Sequence, residues 1–253
     1  MPVIDLSADV GEGVAPGVEA ALLDVVTSAS VACGFHAGDP ETMHATVAAA
    51  AARGVVVGAH PSYPDREGFG RRDLDRPPER IFEDVLYQTG ALDGVARACG
   101  TTVRYVKPHG ALYHRMDADE VCARAVASAA RMYGDLVLVV PAGSKARAVA
   151  EGLGVTVAAE AFADRAYLDD GTLAPRGTPG AVLTDPDAVA RQAVGLATQC
   201  AATTVTGDRI QVHATTICLH GDTPGAAELA ERVRAALDGA GVELRPFAGP
   251  VAT

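Results

Sequence analysis

The sequence predicts an α/β fold in which seven short parallel strands form a distorted or incomplete TIM-like β/α barrel. Seven apolar runs rich in valine and alanine alternate with helical segments, which is typical of a parallel sheet covered on both faces. Polar side chains follow six of these runs, and the ends of barrel strands converge at one face, whereas an open sheet joins only the loops at its switch point. The chain of 253 residues, 49% of them hydrophobic, is predicted to form one domain over residues 1–253.

The strands are expected where β-branched and small apolar residues run together and then stop at a glycine or a charged side chain. Residues 55–60 are the clearest case, because three consecutive valines lead to Gly58 and His60. The seven predicted strands cover residues 3–9, 28–33, 55–60, 102–106, 136–140, 155–159 and 214–219.

Helices are expected between these strands, and two of them carry the same start signal. Asp39 precedes Pro40 and Asp185 precedes Pro186; an aspartate side chain caps the first turn, and proline suits the first helical position. A segment rich in glycine and proline, residues 168–184, predicts a long functional excursion, and residues 203–212 predict a small hairpin. The predicted helices cover residues 19–26, 40–54, 79–98, 117–133, 144–153, 186–200 and 223–237.

Composition and short motifs argue against several classes of protein. The net charge of −11 and the pI near 5.0 are unfavourable for binding nucleic acid or an anionic membrane. The N-terminus lacks the features of a signal peptide, and no apolar run approaches the roughly 20 residues of a membrane span, so a cytoplasmic protein is expected. Five widely spaced cysteines disfavour disulfides and a structural zinc site. The sequence has neither a GxxxxGK[ST] phosphate loop nor a GxSxG elbow.

Titratable side chains cluster where the valine-rich runs stop. Any one of them is explained equally well by a helix cap or a salt bridge, but their joint occurrence indicates an active site. Acids and imidazoles could activate water while Lys107 and Arg72 hold an anionic substrate. The same residues could instead hold a divalent metal through Asp9, His36 and His60. The candidates are Asp5, Asp9, Glu12, His36, Asp39, His60, Asp65, Arg71, Arg72, Lys107, His109, Glu160, Asp164, Arg165, His220 and Asp222.

Seven motifs in the order DLSADVGEG, ACGFHAGDP, GAHPSYPDREGFGRR, YQTGAL, VKPHGALY, EAFADRAY and CLHGD resemble the LamB/YcsF family. They extend from Asp5 to Asp222 and therefore cover nearly the whole chain. The resemblance implies a seven-stranded barrel akin to glycoside hydrolases and polysaccharide deacetylases. It also implies ATP-dependent hydrolysis of the lactam of 5-oxo-L-proline to L-glutamate, together with two partner subunits, B and C.

The resemblance implies ATP as a cofactor and leaves a divalent metal ion as a further candidate. Asp9, His36 and His60 are the nearest match to the aspartate and two histidines that hold a metal in the deacetylases. A homo-oligomer is a further expected assembly. Two alternatives stay open: a metal-dependent amidase or deacetylase that acts without ATP, and a non-catalytic subunit that presents substrate to its partners. The expected catalytic residues are Asp9, His60, Lys107, His109 and Asp164, and the expected substrate-binding residues are Glu12, Arg72, Arg165, His220 and Asp222.

Overall fold

A computed structural model describes residues 1–13, 15–221, 223 and 225–249 of the chain. Its core is a closed barrel of seven parallel strands, as the sequence predicts. The order around the barrel is β1, β2, β3, β4, β5, β6 and β9, and β9 returns to pair with β1. The strands are β1 Val3–Val10, β2 Ser28–Ala32, β3 Val56–His60, β4 Val103–Val106, β5 Val137–Pro141, β6 Val157–Phe162, β7 Ala201–Thr203, β8 Arg209–Gln211, β9 Thr216–Leu219 and β10 Glu243–Leu244.

Three short strands lie outside the ring of seven. The antiparallel pair of β7 and β8 confirms the predicted hairpin. Strand β10, which the sequence did not predict, pairs in parallel with the beginning of β1, where Val3 lies opposite Glu243. The barrel therefore carries one extra pairing at the end opposite to the carboxyl ends of its strands.

Helices surround the barrel in the described part of the chain, and none of them is long and apolar enough to cross a membrane. The aspartate and proline signals are confirmed: Asp39 accepts from the backbone N–H of Thr42, and Asp185 caps the helix that starts at Pro186. The helices are α1 Pro16–Val25, α2 Pro40–Ala52, α3 Pro78–Ala98, α4 Gly110–Ala118, α5 Glu120–Tyr133, α6 Ala146–Gly152, α7 Pro186–Gln199 and α8 Ala226–Gly239.

The single helix predicted over residues 117–133 is wrong. Asp119 has extended backbone angles, φ −126° and ψ 109°, which end α4, and its side chain accepts from the backbone N–H groups of Val121 and Cys122 to start α5. Helix α4 begins at Gly110, well before the predicted start at residue 117. This early start places the N-terminus of a helix directly after strand β4.

Strand β6 continues to Phe162, three residues beyond its predicted end at residue 159. A charged residue normally ends a buried strand, because an unpaired carboxylate is costly to bury. Glu160 is buried at this point, but its side chain contacts the ammonium of Lys107 and the hydroxyl of Tyr113. The partners come from other parts of the chain, so the strand can carry the acid into the barrel.

Candidate functional site at the carboxyl ends of the strands

A cavity of about 470 Å³ opens at the carboxyl ends of the barrel strands. The predicted convergence of strand ends is realised here, because side chains that follow β1, β3, β4, β6 and β9 all line it. Four lining residues come from the excursion predicted at residues 168–184, which forms one wall. The lining residues are Asp9, His60, Arg71, Lys107, Pro108, His109, Gly110, Ala111, Tyr113, His114, Phe162, Arg165, Leu173, Ala174, Pro175, Arg176 and His220.

The floor of the cavity is a buried ion-pair network centred on Lys107. Its Nζ lies 2.8 Å from Oδ1 of Asp9, 2.8 Å from Oε1 of Glu160 and 3.1 Å from Sγ of Cys218. Burial disfavours the charged form of Lys107, but the charges of Asp9 and Glu160 raise its pKa well above the ordinary value. Burial likewise disfavours the Asp9 carboxylate, yet His60 and Lys107 hold its pKa well below normal. A fixed charge pair therefore lies beneath the ligand space.

A second cluster joins three histidines to Glu12 beside this network. Glu12 follows β1 and is flanked by Gly11 and Gly13, whose positive φ angles of 72° and 80° turn the chain back over the strand end. Its Oε1 lies 3.0 Å from Nε2 of His36, 3.2 Å from Nδ1 of His109 and 3.8 Å from Nε2 of His60. The ligand atoms of these four residues lie within 4.8 Å of one another, so they could hold a metal ion.

This cluster shares two residues with the metal-ligand set expected from the sequence, which stays a prediction. His36 and His60 belong to it, but Glu12 and His109 are the other members, and Asp9 is not among them. The nearer oxygen of Asp9 is committed to Lys107, and its Oδ2 lies 3.5 Å from Nε2 of His60. Asp9 thus separates the ion-pair network from the histidine cluster and contacts both.

The three imidazoles have different protonation preferences. Burial lowers the pKa of His36 to about 4 and also lowers that of His109. Burial acts in the same direction on His60, but the adjacent Asp9 carboxylate overcomes it and raises the pKa of this imidazole. His60 is therefore the histidine of the cluster that favours a second proton.

An aspartate and histidine pair lies on another wall of the cavity. Nδ1 of His220 is 3.0 Å from the carboxylate of Asp164, which also accepts a hydrogen bond of 2.9 Å from Thr223. Burial disfavours the Asp164 carboxylate, but the contacts with His220 and Thr223 lower its pKa. The ring of Phe162 stacks on His220 at 5.1 Å and fixes its plane. Asp164 is thus behind His220, and the imidazole is the group that faces the cavity.

The rim of the cavity is strongly cationic. Arg165 is buried and donates hydrogen bonds to the backbone oxygens of Ala174 and Ala181, so it anchors the excursion. Burial and the nearby charges of Arg176 and Arg71 lower the pKa of Arg165. All three arginines line the cavity. Three guanidinium groups around one space favour a ligand that carries negative charge.

Two of the expected substrate-binding residues, Glu12 and Arg72, do not line the cavity. Nε of Arg72 donates to Oδ1 of Asp65 at 2.8 Å, and the neighbouring Arg71 takes the position facing the ligand space. This contact holds the loop after β3, and the expected role of Arg72 as an anion clamp stays a prediction. Asp222 lies outside the described residues.

Several lining residues were missed by the sequence interpretation. Arg176 and its neighbours belong to the glycine- and proline-rich excursion, where only the unusual length of the segment indicated function. Tyr113 lies in α4, which was not predicted, and donates a hydrogen bond of 2.8 Å to Glu160. The motif VKPHGALY contains this tyrosine and was the available signal.

The seven parallel strands define a TIM-like β/α-barrel protein. Its candidate active site is the cavity at the carboxyl ends of the strands, which acids, imidazoles and guanidiniums line. The sequence profile of the LamB/YcsF family matches residues 4–252, and the chain belongs to that family.

Similar proteins include the A-type subunit of 5-oxoprolinase from Kocuria rhizophila, which is 52% identical over 98% of this chain and 100% of the relative. The protein of the same name from Streptomyces griseus is 53% identical over 97% of this chain and 100% of the relative. A lactam utilization protein from Thermus thermophilus has a solved structure with a TM-score of 0.91 and 44% identity, covering 97% and 100% of the two chains. A family 4 carbohydrate esterase from Streptomyces lividans shares the fold alone, with a TM-score of 0.55, 13% identity, and coverage of 98% and 93%.

Proposed function

We propose that this chain catalyses the hydrolytic opening of the lactam of 5-oxo-L-proline to L-glutamate, in an ATP-consuming assembly with two partner subunits, B and C. The observation that carries the proposal is one small cavity in which guanidiniums, a buried ammonium and carboxylate pair, and an Asp164 and His220 pair face a common space. Relatives that match the whole length of this chain are named as 5-oxoprolinase subunits of the A type, and a structural relative is named for lactam utilization.

The cationic rim favours binding of an activated substrate that carries more than one negative charge. 5-Oxoproline carries one carboxylate, whereas Arg71, Arg165 and Arg176 present three guanidiniums to the cavity. A lactam phosphorylated on its ring oxygen carries additional negative charge and a better leaving group, and guanidinium groups are suited to bind such a phosphate. Because the chain lacks a P-loop motif, we assign ATP use to the complete assembly and the binding of the activated lactam to this barrel.

Water addition to the lactam carbon requires a base and a group that holds the developing charge. Asp9 and His60 both line the cavity, and the nearest atoms of the two side chains lie 3.5 Å apart, so both can contact one water molecule in the cavity. Lys107 keeps Asp9 ionised and supplies positive charge beside the reacting carbon. A divalent ion held by Glu12, His36, His60 and His109 would supply Lewis-acid chemistry at this position.

Cleavage of the ring C–N bond requires a proton at the departing nitrogen and leaves an acyl phosphate, from which a second water molecule releases inorganic phosphate to give L-glutamate. His220 is the proposed donor, because its Nδ1 is held by Asp164 and the rest of the ring faces the cavity. Asp164 then acts as a positioning residue that fixes the tautomer of His220. His109 contacts the base His60, whose Nε2 lies 2.9 Å from Nδ1 of His109.

The test is to incubate the purified chain with 5-oxoproline and ATP, with and without the two partner subunits, while following glutamate and ADP. We expect both products only in the complete mixture, and loss of glutamate with His60→Ala or Asp9→Ala but not with His44→Ala, which changes an exposed helical histidine. Glutamate without ATP would favour the metal-dependent amidase instead. Unchanged glutamate formation with both site variants would favour a non-catalytic binding role.

A further inference from the structure

The hydrogen bonds behind the histidine cluster determine which ring nitrogens carry protons. Nδ1 of His60 lies 2.7 Å from the backbone oxygen of Lys107, and Nε2 of His109 lies 2.9 Å from the backbone oxygen of Phe69. A carbonyl oxygen only accepts hydrogen bonds, so each of these nitrogens must carry the proton of its ring. In the neutral imidazoles, the opposite nitrogens, Nε2 of His60 and Nδ1 of His109, are therefore unprotonated.

His36 follows the same pattern. Its Nδ1 lies 3.0 Å from Oγ of Ser62, and that hydroxyl donates its own proton to the backbone oxygen of Tyr63 at 2.9 Å. When Ser62 donates to Tyr63 in this way, it accepts from Nδ1 of His36 and leaves Nε2 of His36 as a lone pair. In that tautomer the lone pair faces Oε1 of Glu12, another acceptor, at 3.0 Å.

Four acceptors thus face one another with no proton to share in the neutral state. Nε2 of His60 and Nδ1 of His109 are 2.9 Å apart, and the carboxylate of Glu12 faces all three rings. Such an arrangement is repulsive unless a positive charge, either an added proton on one ring or a metal ion, sits among the four atoms. All three histidines have their outward N–H held by the surrounding protein, which is the usual way in which ligating imidazoles are oriented.

We propose that Glu12, His36, His60 and His109 bind one divalent transition-metal ion of the Zn²⁺ type, with Asp9 outside the ligand set. Three imidazole nitrogens and one carboxylate oxygen suit such ions better than Mg²⁺ or Ca²⁺, which prefer oxygen ligands. The separations of 2.9, 3.0, 3.2 and 3.8 Å between donor atoms are compatible with ligands that each lie about 2.0–2.1 Å from one ion. The inference concerns metal binding alone and does not depend on the proposed reaction.

The packing around the cluster keeps these donors together before an ion arrives. The rings of His36 and His109 stack at 3.8 Å with an angle of 3° between their planes. Gly70 lies against both rings, and a Cβ atom at this position would come within 2.9 Å of His109 and of His36. The loop after β3 therefore closes over the two rings only because residue 70 is glycine.

The test uses the full chain, stripped with a chelator and then titrated with Zn²⁺ by calorimetry and with Co²⁺ as a spectroscopic probe. We expect one ion per chain, visible Co²⁺ absorption bands from nitrogen coordination, and a higher Tm with Zn²⁺ than without. Glu12→Gln and His109→Asn should each weaken Zn²⁺ binding by about 100-fold or more. His213→Ala, which changes an exposed histidine, should bind Zn²⁺ as the unaltered chain does, and Asp9→Asn should weaken binding less than either ligand variant.

Far-UV circular dichroism and Tm of the metal-free variants separate lost ligands from lost folding. The metal-free Glu12→Gln and His109→Asn chains should unfold at or above the temperature of the metal-free parent, because each removes one of the facing acceptors. Absence of bound Zn²⁺ in the parent chain would overturn the proposal and leave a shared proton as the occupant. Loss of binding in Asp9→Asn, with binding retained in Glu12→Gln and His109→Asn, would also overturn it.

Discussion

The ammonium of Lys107 and the carboxylate of Asp9 form a buried ion pair with 2.8 Å between Nζ and Oδ1. Glu160 lies at the same distance from the other side of the ammonium, so two carboxylates depend on one cation. Removing one member of a buried charge network leaves its partners buried and unpaired, which costs more than the network itself contributes. Lys107 is therefore a structural requirement of the barrel floor as well as a group of the proposed reaction.

We expect Lys107→Met to lower the free energy of unfolding by about 3–5 kcal/mol. Urea denaturation at neutral pH measures this change. Lys145→Met, which alters an exposed lysine, is the matched control and should change stability by less than about 0.5 kcal/mol. A loss below about 1 kcal/mol for Lys107→Met would show that Asp9 and Glu160 do not need this cation.

Asp5 gives a pH-dependent prediction that is separate from catalysis. Burial raises the pKa of this carboxyl to about 6, although Ser28, Thr216 and Thr27 each donate a hydrogen bond of 2.6 Å to it. Because the folded pKa lies above the unfolded value, Asp5 contributes most to stability below about pH 4 and progressively less as pH rises through 6.

Asp5→Asn should remove the loss of stability that ionisation of Asp5 causes as the pH rises. We expect the variant and the parent to differ little in stability near pH 4, and the variant to be more stable by about 1–3 kcal/mol at pH 7–8. Urea denaturation of both chains across this range gives the difference directly. A variant that is less stable than the parent at every pH would contradict the assigned direction of the pKa shift.

The pair formed by His220 and Asp164 predicts a kinetic signature. We expect His220→Asn to reduce kcat by about 100- to 10,000-fold in the reconstituted assembly, because it removes the proposed proton donor. Asp164→Asn should reduce kcat as well and change the pH profile, since it alters the tautomer preference of His220. Substrate binding, measured by calorimetry, should change much less than kcat; equal losses in both would instead assign His220 to binding.

Arg165 and Arg72 are expected to differ in their contribution to substrate binding, because only Arg165 lies on the cationic rim of the cavity. Arg165→Met should reduce kcat/KM by about 10- to 100-fold, mainly through KM, because it removes a charge that lines the cavity and anchors the excursion. Arg72→Met should change KM by less than about threefold. Asp65 keeps its backbone hydrogen bond from Gly68 without the Arg72 side chain, so the loop persists. The reverse order of effects would restore Arg72 as the anion clamp.

Replacing Gly58 with alanine is predicted to disturb the packing inside the barrel. A Cβ atom at this position would lie 2.1 Å from Cε2 of Tyr105, a buried ring that cannot swing into solvent. Gly58→Ala must therefore displace Tyr105 and break its contact of 3.1 Å with Oγ of Ser30. We expect a loss of about 1–3 kcal/mol in urea denaturation, and Gly17→Ala, where a Cβ atom meets no neighbour within 4 Å, should not reproduce it.

The barrel strands could be predicted because their signal is local. Runs such as Val55, Val56 and Val57 favour a buried strand wherever they occur, and the seven predicted strands correspond to the seven of the closed ring. The extent of β6 was underestimated because Glu160, taken locally, indicates a strand end. Only the position of Lys107 at the end of β4, two strands away from β6 in the barrel, makes that burial favourable, and the fold determines this position.

The candidate site was predictable as a group of residues but not as a geometry. Adjacent residues point in different directions, and the sequence cannot tell whether Arg71 or Arg72 faces the cavity. The grouping of Glu12 and His109 with His36 and His60 was missed for the same reason, because the four residues come from the ends of different strands. Hydrogen bonds from His60 and His109 to backbone oxygens orient these rings, and backbone partners leave no trace in side-chain spacing.

Residues 173–176 form one wall of the cavity, yet they belong to a segment inserted between β6 and α7 and tied down through Arg165. No strand of the barrel ring begins or ends within this insert, which the structure describes throughout. Changes confined to residues 168–184 can therefore alter which ring size and which substituents of the proposed lactam substrate are accepted, while the reactive groups beneath stay constant. A library restricted to this insert is the direct route to variants that accept larger lactams.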